Sequence, residues 1–165
     1  LTGYYLRKFL NTSVDLDPTS YNADMHYRVY ARYTDALLIF AEAANQIGPD
    51  VSIGGYTARQ VVNAIRTRAR IPSTSYVDGL TDLTEVIRNE RRIELCFEGE
   101  RFWDLRRWKL LDQMKNSVNG VMVKGEPEVY SYSKVENRNF KDHQIYGPIP
   151  FYEILKFELK QNMGW

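Results

Sequence analysis

The sequence is poor in the residues from which disulfides and metal sites are built. It contains one cysteine, Cys96, and two histidines, His26 and His143. A single cysteine excludes an intramolecular disulfide. Neither histidine has a second ligand at the spacing of a metal motif, so we predict no metal site. Cys96 lies in an apolar helical run, and we expect it to be buried as a small hydrophobic side chain.

Long hydrophobic runs and an excess of one charge are also missing. No apolar run approaches the roughly 20 residues that span a bilayer, and no signal peptide opens the chain. The chain starts at Leu1 and continues directly into G-Y-Y-L-R-K-F-L. We therefore expect it to be a piece of a longer protein. With 22 basic and 21 acidic residues the formal net charge is +1, so we predict no nucleic-acid partner and no electrostatic attraction to membranes.

Motifs for common enzyme chemistry are absent. Gly54 and Gly55 lack the rest of a phosphate-binding loop, and no serine lies in a G-x-S-x-G turn. The chain therefore shows no nucleophile, base or cofactor motif, and we predict neither catalytic residues nor a cofactor.

The stretch 87–108 is rich in residues of both charges. They lie between apolar residues that recur at the period of a helix. Glu90, Glu94 and Glu98 repeat every fourth residue, and with Asp104 they could be read as the carboxylate pair of a glycosidase. Arginines at this density would instead lower carboxylate pKa values, whereas a general acid needs a raised pKa. We interpret the stretch as a structural ion-pair network. The arginines expected to pair within it are Arg88, Arg91, Arg92, Arg101, Arg106 and Arg107.

A second set of arginines lies just before this stretch. Arg59, Arg66, Arg68 and Arg70 could form a basic ridge for phosphates. Arginine suits bidentate pairing with partly buried carboxylates, and acidic residues are frequent in the same part of the chain. We therefore favour internal pairing over a phosphate site.

Helical periodicity is clearest in two segments before these charges. An apolar stripe predicts a first helix over 29–47. Thr57 and Gln60 match the T-x-x-Q capping box and predict the start of a second helix, which Pro72 ends. Because the two helices carry small residues on their packing faces, they resemble one helix-turn-helix unit of a tetratricopeptide array.

The rest of the chain predicts a mainly α fold with long irregular loops. Asp82 and Glu85 form a D-x-x-E variant of the capping box, and the apolar residues of the last helix are expected to face inward. Residues 1–28 show no sustained period. The further elements are a third helix over 82–97, a shorter helix over 100–111, one minor β-hairpin allowed at Val121–Val123 and Val129–Tyr132, and a last helix over 151–158.

Aromatic residues are plentiful, with twelve tyrosines, seven phenylalanines and three tryptophans. Aromatic faces can stack on sugar rings, but most aromatic side chains are buried in cores. We expect Trp103 and Trp108 to be core residues, whereas Tyr130 and Tyr132 fit either role. The other aromatic residues in or beside loops that could touch a glycan are Tyr146, Tyr152 and Trp165.

Four ordered segments resemble the SusD/RagB family of outer-membrane nutrient-binding proteins. The first is V-I-R-N-E-R-R-I-E-L-C-F-E-G-E-R-F-W-D-L-R-R-W at 86–108. The others are Y-T-D-A-L-L-I-F-A-E-A-A-N-Q-I-G at 33–48, V-N-A-I-R-T-R-A-R-I at 62–71, and I-P-x-x-E-I followed by Q-N-M-G-W at the end of the chain. Glu100 stands where the family usually has histidine, and Arg70 where it usually has glycine.

The resemblance implies that residues 1–165 form a single domain, the C-terminal part of a longer, mostly helical lipoprotein. Such a protein is tethered by an N-terminal lipid to the outer face of the outer membrane. It binds an oligosaccharide or similar nutrient and hands it to a SusC-like TonB-dependent transporter, without catalysis. None of the four segments is a ligand-binding motif, so the resemblance assigns no ligand-binding residue.

Two other functions stay open at this stage. The helix pair over 29–69 would suit a helical-repeat scaffold whose concave face binds a protein partner. A glycosidase would instead use the carboxylates near Glu94.

Overall fold

The computed structural model describes residues 2–25, 27, 29–71 and 75–165. Contacts divide the chain into two compact units, Lys8–Arg101 and the residues up to Arg7 with Phe102–Trp165. The expectation of one domain over 1–165 stays a prediction. The elements are α1 Tyr33–Asn45, α2 Ala58–Arg68, α3 Ser75–Asp78, α4 Thr84–Glu94, α5 Glu100–Arg107, α6 Leu111–Lys115, β1 Val118–Lys124, β2 Val129–Glu136, a 3-10 turn at Asp142–Ile145, and α7 Phe151–Phe157.

The Lys8–Arg101 unit has its core where α1 packs against α2 and α4. The predicted mainly α fold is confirmed. The described residues before position 29 are irregular as expected, with an isolated bridge between Asp15 and Asn22. Small residues of α1 allow the close approach of α2. The buried core residues are Leu38, Ala41, Ala44, Ala58, Val61, Val62, Ile65, Val77, Leu83, Val86, Ile87 and Leu95.

Both ends of α2 are closed by local hydrogen bonds. The predicted capping box is confirmed: the Gln60 N–H donates to Thr57 Oγ1 over 3.1 Å, and the Thr57 N–H donates to Gln60 Oε1 over 3.0 Å. At the other end the Arg70 N–H donates to the Thr67 carbonyl and the Ile71 N–H to the Arg66 carbonyl. These bonds form a Schellman motif, whose residue after the cap is left-handed. Pro72, predicted to end this helix, lies outside the described residues.

The left-handed residue of this motif is Arg70, with φ +57°. A side chain in this region costs about 1 to 2 kcal/mol, and glycine avoids that strain at a smaller entropic cost. We expect Arg70→Gly to raise the free energy of unfolding by about 0.5 to 1 kcal/mol in urea denaturation. Arg70→Ala is the control, because it removes the side chain and keeps the strained Cβ. An equal gain in both variants would contradict the explanation.

The start of α4 differs from the prediction. The helix begins at Thr84, and Asp82 Oδ1 accepts from the Thr84 N–H at 2.9 Å, so the predicted D-x-x-E box is wrong. Asn45 of α1 supplies the missing contacts. Its side chain donates to Asp82 over 2.8 Å and accepts from the buried Leu83 N–H over 3.0 Å. Glu85 is then left to pair with Arg88.

The end of α4 also comes earlier than the apolar stripe predicts. The helix stops at Glu94, and Phe97 adopts a left-handed φ of +64°. The chain therefore leaves the helix before Cys96, which is half-buried rather than buried. In the same way Lys109, with φ +56°, separates α5 from α6, where one helix over 100–111 was expected.

The unit of Phe102–Trp165 contains the hairpin and the last helix. Strands β1 and β2 pair antiparallel, with Val121 opposite Tyr132 and Val123 opposite Tyr130, which confirms the hairpin. The Val121 N–H donates to the Thr2 carbonyl over 2.8 Å, so the N-terminal segment lies along the other edge of β1. The expectation that the apolar side of α7 faces inward is wrong. Its large apolar residues Phe151, Leu155 and Phe157 are exposed.

Candidate functional site

The three glutamates that repeat every fourth residue in the charged stretch are all bonded to cations. Glu90 accepts from Arg66 Nη1 at 2.6 Å, and Glu94 accepts from Arg68 Nη2 at 2.5 Å. Glu98 bonds Arg32 Nε at 2.9 Å and also pairs with Lys8. We call this set, with Arg32 Nη2 at 3.6 Å from Glu94, the carboxylate brace. The prediction that these glutamates are ion-paired is confirmed.

The partners, however, come from elsewhere in the chain than the sequence suggested. Glu90, Glu94 and Glu98 face cations from α2 and from the segment before α1, not the neighbouring arginines. The neighbours pair with other carboxylates, since Arg91 bonds Asp35 at 3.1 Å and lies 3.7 Å from Glu100. Glu90 and Glu94 lie on the side of α4 that meets α2 and the segment before α1, and Glu98 lies beyond the end of α4.

The electrostatics of Glu98 oppose a general-acid role. Burial alone would raise the pKa of its carboxyl group, but the hydrogen bonds and charges of Arg32 and Lys8 outweigh burial and lower that pKa below its ordinary value. A general acid needs the opposite shift. The geometry therefore favours a structural role for these carboxylates over the glycosidase interpretation.

Three of the four arginines of the suspected basic ridge are paired with carboxylates. Arg59 makes a two-bond contact with Asp50 at 2.7 and 2.8 Å, and Arg66 and Arg68 belong to the carboxylate brace. Only Arg70, among these four, makes no ion pair with the residues that the structure describes. The preference for internal pairing over a phosphate site is thus confirmed for three of the four arginines.

The described ranges contain no cluster of metal ligands. No group of three or more histidine, cysteine or acidic side chains there could hold a metal ion. His26 lies outside the described residues, and His143 packs edge-on against Trp165 with ring centroids 5.1 Å apart. Within those ranges no helix combines the length and apolar character needed to cross a bilayer.

A different kind of site lies in the Phe102–Trp165 unit, as an open cleft of about 610 Å³. This volume falls within the range of small-molecule sites. We call it the aromatic cleft. Its lining comes from one side of α5, the segment before and within the 3-10 turn, the following loop and the final residue: Phe102, Trp103, Arg106, Asn139, Phe140, Gln144, Ile145, Tyr146, Gly147, Pro148 and Trp165.

Aromatic rings form the walls of the aromatic cleft. Phe102 and Trp103 pack edge to face, with centroids 5.0 Å apart. Trp165 is held by its indole N–H, which donates to the Tyr146 carbonyl over 2.9 Å. Trp103 is 64% exposed, so its ring is available to a ligand. Exposed rings of this kind offer flat apolar faces for the C–H side of a sugar ring.

The polar part of the aromatic cleft centres on Arg106. Its guanidinium lies over the ring of Phe102, 3.4 Å from the centroid, and donates to the carbonyls of Phe102, Gln144 and Ile145 over 3.2 Å each. Partial burial lowers the pKa of Arg106 below its ordinary value. Together with the amides of Asn139 and Gln144, this side chain can donate hydrogen bonds to ligand oxygens.

The sequence located some of these residues and missed others. Tyr146 and Trp165 do line the aromatic cleft, whereas the core position expected for Trp103 is wrong. Tyr130 and Tyr132 are exposed on β2 and Tyr152 on α7, and none of the three lines the cleft. Trp108 is half-buried. The missed lining residues are Phe102, Arg106, Asn139, Phe140, Gln144, Ile145, Gly147 and Pro148.

One signal could have pointed to part of this lining. Phe102 and Arg106 are four residues apart, the spacing at which a cation meets an aromatic face on one helix. Sequence reasoning instead placed Arg106 in the ion-pair network. Among the described residues no carboxylate pairs with it, so that assignment was wrong.

A second, smaller cleft of about 370 Å³ lies in the Lys8–Arg101 unit, between the N-terminal segment and the residues before α1. It has three charged side chains, and two of them, Lys8 and Arg32, both pair with the third, Glu98, within the carboxylate brace. A ligand there would compete with those ion pairs. The aromatic cleft is therefore the better candidate.

Comparisons with known proteins agree on one protein family. The sequence model of the SusD family matches residues 1–165. SusD-like protein P38 of Formosa agariphila is 32% identical over 68% of this chain and 22% of its own length. SusD-like protein P25 of the same organism is 28% identical over 91% of this chain and 26% of its own length.

A solved structure of a SusD-like protein is also similar to this chain. The crystal structure of a SusD-like protein from Bacteroides fragilis NCTC 9343 superimposes with a TM-score of 0.65 at 32% identity. The superposition covers 85% of this chain and 26% of that one. The chain thus spans about a quarter or less of the curated relatives it matches.

Proposed function

We propose, on the premise that this chain belongs to the SusD family, that it is part of a protein that binds an oligosaccharide or similar nutrient and passes it to a TonB-dependent transporter. Members of the family are generally glycan-binding outer-membrane lipoproteins that are not catalytic and work with SusC-like transporters. For this protein, the cell-surface location, the lipid anchor, the transporter and the absence of catalysis are parts of the proposal.

The aromatic cleft is the observation that supports a binding role within this chain. Exposed rings lie beside side chains that donate hydrogen bonds, which is the combination a sugar needs for its apolar and hydroxyl faces. The carboxylate brace contributes differently. Its glutamates are already bonded to cations, so they hold the fold rather than a reacting group.

Trp103→Ala tests the binding role of the aromatic cleft. Because Trp103 is 64% exposed, its removal is expected to leave the fold intact and to weaken oligosaccharide binding roughly tenfold, about 1.4 kcal/mol. Isothermal titration of the protein at its natural length, against plant, host and microbial polysaccharides, gives the affinity. Tyr76→Ala is the matched control, since Tyr76 is an equally exposed aromatic residue of the other unit.

Three outcomes would count against the proposal. Equal affinity in Trp103→Ala and in the wild type would remove the aromatic cleft as the site. Failure of the wild type to bind any sugar, together with co-purification of a soluble protein partner, would favour the scaffold alternative. Release of sugar products by the wild type that Glu94→Gln abolishes would show that the protein is an enzyme.

A further inference from the structure

The aromatic cleft carries a positive charge that no acidic side chain balances. Arg106 has the only charged side chain among its lining residues. Within the described part of the chain, no carboxylate lies at ion-pair distance from its guanidinium. The guanidinium contacts three backbone carbonyls and the rings of Phe102 and Phe140.

Arg107, the next residue, shows the usual arrangement, in which a carboxylate balances the charge of the arginine. Arg107 bonds Asp104 through Nε at 2.9 Å and through Nη2 at 2.8 Å, so its charge is balanced on the same helix. Carboxylates also pair with Arg32, Arg66 and Arg91 of the Lys8–Arg101 unit. Arg106 departs from that pattern, and it lines a cleft large enough for a ligand.

The guanidinium of Arg106 is held in position and still has donors to offer. A guanidinium has five N–H donors, and three of them are used by the carbonyls of Phe102, Gln144 and Ile145, which leaves two. The Phe102 ring supports one face of the group at 3.4 Å. A fixed cation with free donors suits a carboxylate or sulfate oxygen better than a hydroxyl, because charge-assisted bonds are stronger.

We propose that the aromatic cleft prefers acidic sugars, and that Arg106 binds the anionic group, a uronate carboxylate or a sulfate ester, while Trp103 and its neighbours stack on the ring. This inference rests on the proposed glycan-binding function and names the class of glycan. It requires that the same sugar backbone bind more weakly once its charge is removed.

Matched pairs of oligosaccharides test the preference on the wild-type protein at its natural length. One pair is an oligogalacturonate and its methyl ester, and the other is a sulfated galactan oligosaccharide and its desulfated form. Isothermal titration is expected to show roughly ten- to hundredfold tighter binding of the charged member in at least one pair. The pair that shows it distinguishes carboxylate from sulfate.

Arg106→Gln assigns the preference to this side chain. The variant is expected to lose the discrimination between charged and uncharged members while still binding the uncharged one. Arg92→Gln is the control, because Arg92 is exposed in the other unit and its loss changes the net charge equally. Arg106→Lys keeps the charge and should retain much of the preference. If Arg106→Gln does not fold, the salt dependence of the wild type decides, since an ion pair weakens with ionic strength.

Three results would overturn the inference. They are equal wild-type affinity within both pairs, a preference that survives in Arg106→Gln, and a preference that does not change with salt. In each of these cases the protein still binds a sugar, so the proposed function stands. Binding of no sugar in any pair or in the wider panel overturns the proposed function itself.

Discussion

Replacing Arg66 with methionine is expected to lower the free energy of unfolding by about 3 to 5 kcal/mol. Arg66 Nη1 lies 2.6 Å from Glu90 Oε1, and the Glu90 side chain is only 3% exposed. Without the arginine, a buried carboxylate has no counter-charge and must either stay ionised in an apolar setting or take up a proton. Urea denaturation of the 165-residue chain measures the loss.

Two further variants separate the buried pair from its surroundings. Arg66→Met combined with Glu90→Leu is expected to recover most of the stability, because no unpaired charge remains. Glu85→Gln breaks an ion pair on the same helix whose carboxylate is 77% exposed, and it should cost at most about 1 kcal/mol. If Arg66→Met cost no more than Glu85→Gln, the carboxylate brace would not be a stabilising element.

Leu38→Ala is expected to cost about 2 to 5 kcal/mol. Leu38 is fully buried where α1 meets α2 and α4, and its truncation leaves a cavity that the neighbouring helices fill only in part. The same urea experiment gives the value.

Ile39, the residue after Leu38, provides the control for this core position. Ile39 is 55% exposed on the same helix, so Ile39→Ala removes a similar volume with little loss of burial and should change stability by less than about 0.5 kcal/mol. Equal losses at the two positions would mean that the packing of α1 does not follow the described core.

Local patterns in the sequence predicted the elements that local bonds create. The capping box at Thr57 starts α2 as expected, since both partners lie within four residues of each other. The start of α4 could not be predicted in this way, because Asn45, on a different helix, holds Asp82 and the Leu83 N–H. Contacts made by side chains from a distant segment cannot be recognised from the local spacing of residues.

The same distinction explains the candidate site. That the glutamates of 87–108 are paired followed from composition, but the identity of their partners depends on how α1, α2 and α4 pack. The aromatic cleft joins α5 to residues 139–148 and 165, which are far apart in sequence. Aromatic content alone therefore could not separate Trp103, which is exposed, from a core tryptophan.

The carboxylate brace also bears on how this part of the chain comes apart. Its pairs join residues 24 to 90 positions apart, from Arg66 with Glu90 to Lys8 with Glu98. If one of the contributing segments detached, a glutamate would lose its cationic partner while it remained poorly hydrated. Detachment of one segment by itself is therefore disfavoured. We therefore expect α1, α2 and α4 to exchange their amide protons as one cooperative unit, with no stable state in which only one of them has detached.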